Sequence, residues 1–274
     1  MATPALPSAA VAKKPPRIGL ALGGGAARGF AHIGVIQVLE EAGLAPDLVV
    51  GTSAGSVVAA LYASGKSGKE LQSIAETLDE ATFSDWRLPL FKPGLLKGEA
   101  LARFITSQVK GRQIQELPKP LGVVATDLQS GQGVLFERGD TATAVRASSA
   151  IPAVFQPVDI AGRDYVDGGL VSPVPVLSAQ KMGAELVIAV DIASQTGTEV
   201  GLDTFGILMK TFAIMGKSIT ALELQKADLV IKPATAGLSS ASFASRAAAI
   251  AAGRQAMLAQ LPLLRRLMAA RLAQ

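Results

Sequence analysis

Asp47-Leu48-Val49-Val50-Gly51-Thr52-Ser53-Ala54-Gly55 decides how this chain is read, because its character changes half-way along. Leu48 to Val50 are aliphatic and mostly β-branched, the signature of a short buried strand. From Ser53 to Ser64 small and aliphatic residues continue as a helix, and Gly65 stands where helices favour glycine as a stop. A strand that runs straight into a helix through Gly-x-Ser-x-Gly leaves its serine on a very tight turn. Gly51 and Gly55 remove the Cβ atoms that would clash there. The Ser53 hydroxyl is then expected at the carboxyl edge of a sheet, where α/β proteins keep their ligand crevices. The following helix points its positive end at the same spot, which favours a developing oxyanion. An ordinary N-capping serine fits the position too, so the pentapeptide alone leaves Ser53 a candidate nucleophile.

The same alternation extends upstream. Ile18 to Leu22 reads as a buried strand ended by Gly23, Gly24 and Gly25. Residues from about Ala27 to Ala42 read as a helix, with Ile33, Val35, Ile36 and Leu39 spaced for a buried face and Gly43 as its stop. This βαβα opening argues for a parallel sheet covered on both faces. Downstream, about 67–115 is mostly helical, carries Trp86, and contains a proline-bearing loop at Leu88–Gly94. Strands are expected at Leu121–Thr126, Val134–Phe136, near Val158–Val166, at Leu186–Asp191 and at Leu229–Pro233. A helix between Asp203 and Ala227 carries Phe205, Leu208, Phe212, Met215, Ile219 and Leu222 at helical spacing. A second, from about Ser245 to Leu272, is expected to break or restart at Pro262. Such stripes usually pack on a sheet; contact with a membrane or partner is the alternative. Residues 1–16 form an Ala/Pro-rich leader expected to be disordered, and 17–274 one catalytic domain with a C-terminal helix.

Composition narrows the chemistry. With 49% hydrophobic and 18% charged residues the chain is not disordered. A net charge of +4 is too small and dispersed to argue for nucleic acid, though it suits an anionic membrane surface. There is no cysteine, which excludes disulfides and thiolate metal sites, and the lone histidine, His32, rules out a His-rich zinc site. The basic residues of the leader follow its apolar stretch, the reverse of a secretory signal. The uncharged run Leu48–Gly65 is interrupted by glycines and serines and reads as strand, turn and helix, not as a membrane span. A cytoplasmic or membrane-peripheral location is therefore expected.

Two further motifs frame the serine. Gly23-Gly24-Gly25-Ala26-Ala27-Arg28-Gly29 follows the first strand and opens the first helix. As a dinucleotide turn it is imperfect, because Arg28 stands where a third glycine belongs and no acid ends the second strand. As an oxyanion hole, its amides and the Arg28 charge explain the serine as well. A nucleophilic serine also needs a base. Tyr165-Val166-Asp167-Gly168-Gly169 offers an aspartate at a strand end, although Asp-Gly-Gly alone is most often a turn; His32 is the competitor.

Taken together, the Gly23–Gly29 loop, Gly51-Thr52-Ser53-Ala54-Gly55 and Asp167-Gly168-Gly169 resemble the patatin-like phospholipases, above all the bacterial branch related to neuropathy target esterase. Ala31–Val35, Ala125–Leu128, Ala147–Pro152 and Ala227–Pro233 are similar to that family too, so the resemblance spans roughly 17–255. It implies a three-layer α/β/α sandwich with a central, largely parallel sheet. It also implies a Ser53–Asp167 dyad in place of a triad, with Gly23, Gly24 and Gly25 as oxyanion hole and Arg28 beside it. The expected substrate is a fatty-acyl ester of a phospholipid, lysophospholipid or related lipid, cleaved without metal or other cofactor. A catalytically silent regulatory or nucleotide-binding protein on the same fold is the alternative. Peripheral membrane contact and a homodimer stay open.

Overall fold

The computed structural model describes residues 14–78, 96–193, 204–238 and 243–273. Trp86, the expected loop at Leu88–Gly94 and most of the leader lie outside those residues. Strands β1 (Ile18–Leu22), β2 (Leu48–Thr52), β3 (Leu121–Asp127), β7 (Leu186–Val190) and β8 (Leu229–Ile231) lie in the order β3-β2-β1-β7-β8, all parallel. β4 (Gly133–Phe136), β5 (Val158–Ile160) and β6 (Arg163–Asp167) add antiparallel pairs at the β3 end, giving, among the described residues, a mixed, mostly parallel sheet of eight strands.

Alternation along the strands builds a layer on each face. Leu20, Leu22, Val49, Val123, Ile188 and Val190 pack under α1 (Phe30–Glu41), α2 (Ala54–Ala63) and α8 (Arg246–Ala273). Ala21, Leu48, Val50, Val124, Val187 and Ala189 face the other way, onto Val176 and Ala179 of α6 (Val176–Lys181). Because both faces are covered, β1, β2, β3 and β7 are buried at every residue, which is why they read as unbroken apolar runs. This is the expected α/β/α arrangement. The first face is completed by α3 (Gly68–Thr77), α4 (Glu99–Val109) and α5 (Thr141–Ser148), and α7 (Thr204–Leu224) lies toward α6.

Three details differ from the sequence expectation. The stretch near Val158–Val166 is a hairpin of two strands, not one; Ala161 and Gly162 both take positive φ (55° and 79°), as a two-residue turn that matches strand twist requires. The first helix opens with a 3-10 turn at Ala26–Gly29 before α1 proper. And α8 runs without a break through Pro262. The carbonyl this proline leaves without its usual donor belongs to Leu258, an exposed residue.

The register of β3 sets up the site. Val124 pairs with Thr52 of β2 on one side and with Leu135 of β4 on the other. Ala125 pairs with Val134 of β4 and with Asp167 of β6. β2 and β6 therefore share one edge of β3, run in opposite directions, and end against each other at Thr52 and Asp167.

Candidate active site

Ser53 follows the end of β2 and Asp167 ends β6, so the two residues meet where those strands abut. Ser53 Oγ donates to Asp167 Oδ2 at 2.7 Å, between side chains that are both buried. Ser53 holds φ 52° and ψ −125°, a strained conformation for a non-glycine residue that costs on the order of 1–3 kcal/mol and survives only where its surroundings impose it. The surroundings do so with backbone contacts. A Cβ at Gly51 would collide with the Gly55 carbonyl, and one at Gly55 would collide with the Leu22 carbonyl. Glycine is the residue that fits at either place, so the flanking pair is required by space, as the pentapeptide reading anticipated.

Hydrogen bonds hold the turn from three sides. The Ser53 amide donates to Ser148 Oγ at 2.9 Å, and that hydroxyl donates onward to the Val124 carbonyl at 2.6 Å. Ser56 Oγ donates to the Ser53 carbonyl at 2.7 Å. Thr52 Oγ1 donates to the Ser172 carbonyl at 2.8 Å. Ser148 and Ser172 were not singled out from sequence; Ser148 lay inside the Ala147–Pro152 segment without a role, and neither has a spacing that marks it.

Asp167 is fixed equally firmly. Its Oδ1 accepts the Gly169 amide at 2.7 Å, its own amide donates to the Ala150 carbonyl at 2.9 Å, and its carbonyl accepts Thr126 Oγ1 at 2.8 Å. Gly168 lies against the Val124 carbonyl with no room for a Cβ. Burial pushes the Asp167 carboxyl up to about 6, against the opposing pull of the bonds from Ser53 and Gly169.

The glycine loop crosses directly over the serine, since a Cβ on Gly24 would stand 3.1 Å from Ser53 Cβ. Two of its amides are engaged in the fold: Gly23 N–H donates to the Val190 carbonyl and Gly24 N–H to the Pro173 carbonyl, each at 3.0 Å. Among the described residues the amides of Gly25 and of Ala54, the first residue of α2, donate to no protein carbonyl. Arg28 Nε reaches the Leu238 carbonyl at 3.4 Å, and no described carboxylate forms an ion pair with it, although burial lowers its pKa. His32 does not reach the serine. Its Nε2 donates to the Gly23 carbonyl at 2.8 Å, and full burial pushes the imidazole down to about 4, so it is a neutral anchor for the loop.

A family model, patatin-like phospholipase, matches residues 20–179, a segment that contains the loop, the elbow and the aspartate. The chain belongs to the patatin-like phospholipase family. An uncharacterised NTE family protein of Mycobacterium bovis is 40% identical over 191 residues, covering 68% of this chain and 51% of that protein. The human patatin-like phospholipase domain-containing protein 6 is 36% identical over 210 residues, covering 74% of this chain and 15% of that one. The chain thus spans about half the length of the first relative and a small part of the second. Among solved structures, VipD from Legionella pneumophila aligns with TM-score 0.56 at 19% identity, over 90% of this chain and 67% of that one. The type III effector protein ExoU aligns with TM-score 0.51 at 17% identity, over 91% and 53%. These two likenesses concern the patatin-like fold.

Proposed function

We propose that this chain hydrolyses fatty-acyl esters of lipids through a Ser53–Asp167 dyad. The observation that carries the reading is the 2.7 Å bond from the Ser53 hydroxyl to a buried carboxylate, made at a strained strand-to-helix turn. An aspartate at its ordinary pKa is a poor base, and the rise to about 6 brings Asp167 closer to the working range of a general base. Asp167 accepts the Ser53 proton as Oγ attacks the ester carbonyl. The tetrahedral oxyanion is held by the Gly25 and Ala54 amides at the positive end of α2, with Arg28 adding charge nearby. Collapse expels the alcohol, which takes the proton from Asp167, and leaves an acyl-serine. Water then gives its proton to Asp167, attacks the acyl carbon, and releases the fatty acid while the proton returns to Ser53. Gly23 and Gly24 shape the hole by pinning the loop. Family membership supports lipid esters as the substrate class.

Labelling of Ser53 by a fluorophosphonate tests the nucleophile. Ser53→Ala and Asp167→Asn, both folded, are expected to lose ester hydrolysis by at least about three orders of magnitude, on the scale of other catalytic-unit deletions. Near-normal turnover in either variant refutes the dyad.

We also propose that α7 touches the membrane that carries the substrate. Ile214, Met215 and Leu222 are 59%, 56% and 66% exposed, the helix carries Lys210 and Lys217, and Glu223, its one acid, is buried. No helix among the described residues is long and apolar enough to cross a bilayer, so the contact is peripheral. Co-sedimentation with anionic vesicles is expected for the native chain and reduced in Met215→Glu; equal pelleting of the two counts against α7.

A further inference from the structure

Glu223 sits where ordinary packing would not put it. Among the described side chains of α7, Thr220 and Glu223 are buried, while the adjacent Leu222 is 66% exposed. A helix seated by its apolar surface alone would bury the leucine and leave the acid in water. Glu223 also lies in the last turn of α7, at the negative end of the helix dipole, where a carboxylate is disfavoured. No described cation forms an ion pair with it. Burial pushes its carboxyl up to about 7, against the opposing pull of two hydrogen bonds. Those bonds account for the placement: Oε1 accepts the Ser172 hydroxyl at 2.6 Å, and Oε2 accepts the Val174 amide at 3.1 Å.

The segment 172–174 that this carboxylate grips is the one on which the candidate site rests. The Ser172 carbonyl accepts Thr52 Oγ1, from the residue before Ser53. The Pro173 carbonyl accepts the Gly24 amide, from the loop that crosses over the serine. The Val174 side chain fills the space beside Gly23, 2.9 Å from where a Cβ would stand. The Ser172 amide donates to the Gly168 carbonyl at 2.9 Å, next to Asp167. Three consecutive residues therefore touch the elbow, the glycine loop and the aspartate turn, and one carboxylate on α7 holds them. We infer that Glu223 is a positioning residue, which through Ser172 and Val174 keeps the glycine loop and the elbow in register around Ser53. This role rests on the ester chemistry proposed at Ser53 and adds the support that α7 gives it. Glu223 touches no reacting atom. A misplacement of about 1 Å at a reacting centre can cost on the order of a hundredfold in rate, so a brace at this distance still reaches the chemistry.

Residue-resolved amide hydrogen exchange reads this brace without any chemistry, because two amides of the loop have different anchors. Gly23 donates to Val190 of β7, and Gly24 donates to Pro173. In Glu223→Ala, exchange at Gly24 is expected to quicken at least about tenfold and at Gly23 to stay within about threefold, since only the first anchor is loosened. A general loss of stability would quicken both alike. Well below its melting temperature, the same variant is expected to lower kcat about tenfold with KM nearly unchanged, the mark of support lost in the transition state. Glu223→Gln can still donate to the Ser172 oxygen and accept the Val174 amide, and is expected to recover most of the kcat and of the Gly24 protection. No selective quickening at Gly24, a native kcat in folded Glu223→Ala, or a glutamine variant no better than the alanine overturns the inference. If Ser53→Ala keeps native turnover while Glu223→Ala still frees Gly24 alone, the brace stands and only the reading of Ser53 falls.

Discussion

Asp167 holds its buried position at a cost in stability that depends on pH. Its carboxyl ionises at about 6 in the folded chain against 3.8 ordinarily, so the folded state holds the proton more tightly. The stability this contributes is complete below about pH 4 and is lost as pH rises through about 6. Above that, the buried carboxylate costs on the order of 3 kcal/mol. Asp167→Asn is therefore expected to melt higher than the native chain at pH 8, with the gap closing near pH 4, while hydrolysis is lost. A lower melting temperature at pH 8 contradicts this. If Asp167 is the base of the proposed dyad, kcat/KM is expected to rise with pH through about 6, because that base acts deprotonated. Ser148→Ala probes the neighbouring support, since it leaves the Ser53 amide and the Val124 carbonyl without their shared partner. Leaving such buried groups unpaired costs about 1–3 kcal/mol, and both a lower melting temperature and a lower kcat are expected. The residues of the proposed dyad were legible because glycine is required around them by space. Ser148 was not, since a serine that braces a turn from another helix has no local pattern.

At the scale of elements, close backbone approach explains both what the sequence showed and what it hid. α1 and α8 cross with Gly34 against the Ile250 carbonyl and Gly253 against the Ala31 carbonyl, so neither glycine can carry a side chain. Arg254 of α8 clamps Glu41 of α1 with two bonds, at 2.7 and 2.9 Å. Gly253→Ala is expected to cost about 1–3 kcal/mol or more by overpacking, read as a lower denaturant midpoint at unchanged slope. Because α1 carries His32, which anchors the glycine loop, the same variant is expected to lower the rate of fluorophosphonate labelling as well. The strands of the parallel core were readable from their apolar runs. The hairpin of β5 and β6 was not, because Ala161-Gly162 lacks the Asn-Gly or Asp-Gly signature of such turns. Helix α6 was hidden by its shortness, six residues after a proline-rich loop. Pro262 misled in the opposite sense, since it lies on the exposed face of α8, where a helix tolerates it.

For the whole molecule, the parallel core should be its most stable part. β1, β2, β3 and β7 are buried along their full length, whereas α7 is largely exposed. Amide hydrogen exchange is expected to be slowest in those four strands and much faster over 204–224. Uniform protection across both would show that α7 is held by more than the contacts described. The sequence announced the layers, through periodicity, and three motifs in order. It did not announce that β2 and β6 abut on one edge of β3, which is a matter of register between segments far apart in the chain. That abutment has a consequence for biosynthesis. The two partners of the proposed dyad are 114 residues apart, so the serine leaves the ribosome well ahead of the aspartate. At 5–20 residues per second, the interval is on the order of ten seconds. During it the nascent chain carries Ser53 without the carboxylate that the proposed mechanism requires, so the proposed chemistry can begin only after translation has passed β6.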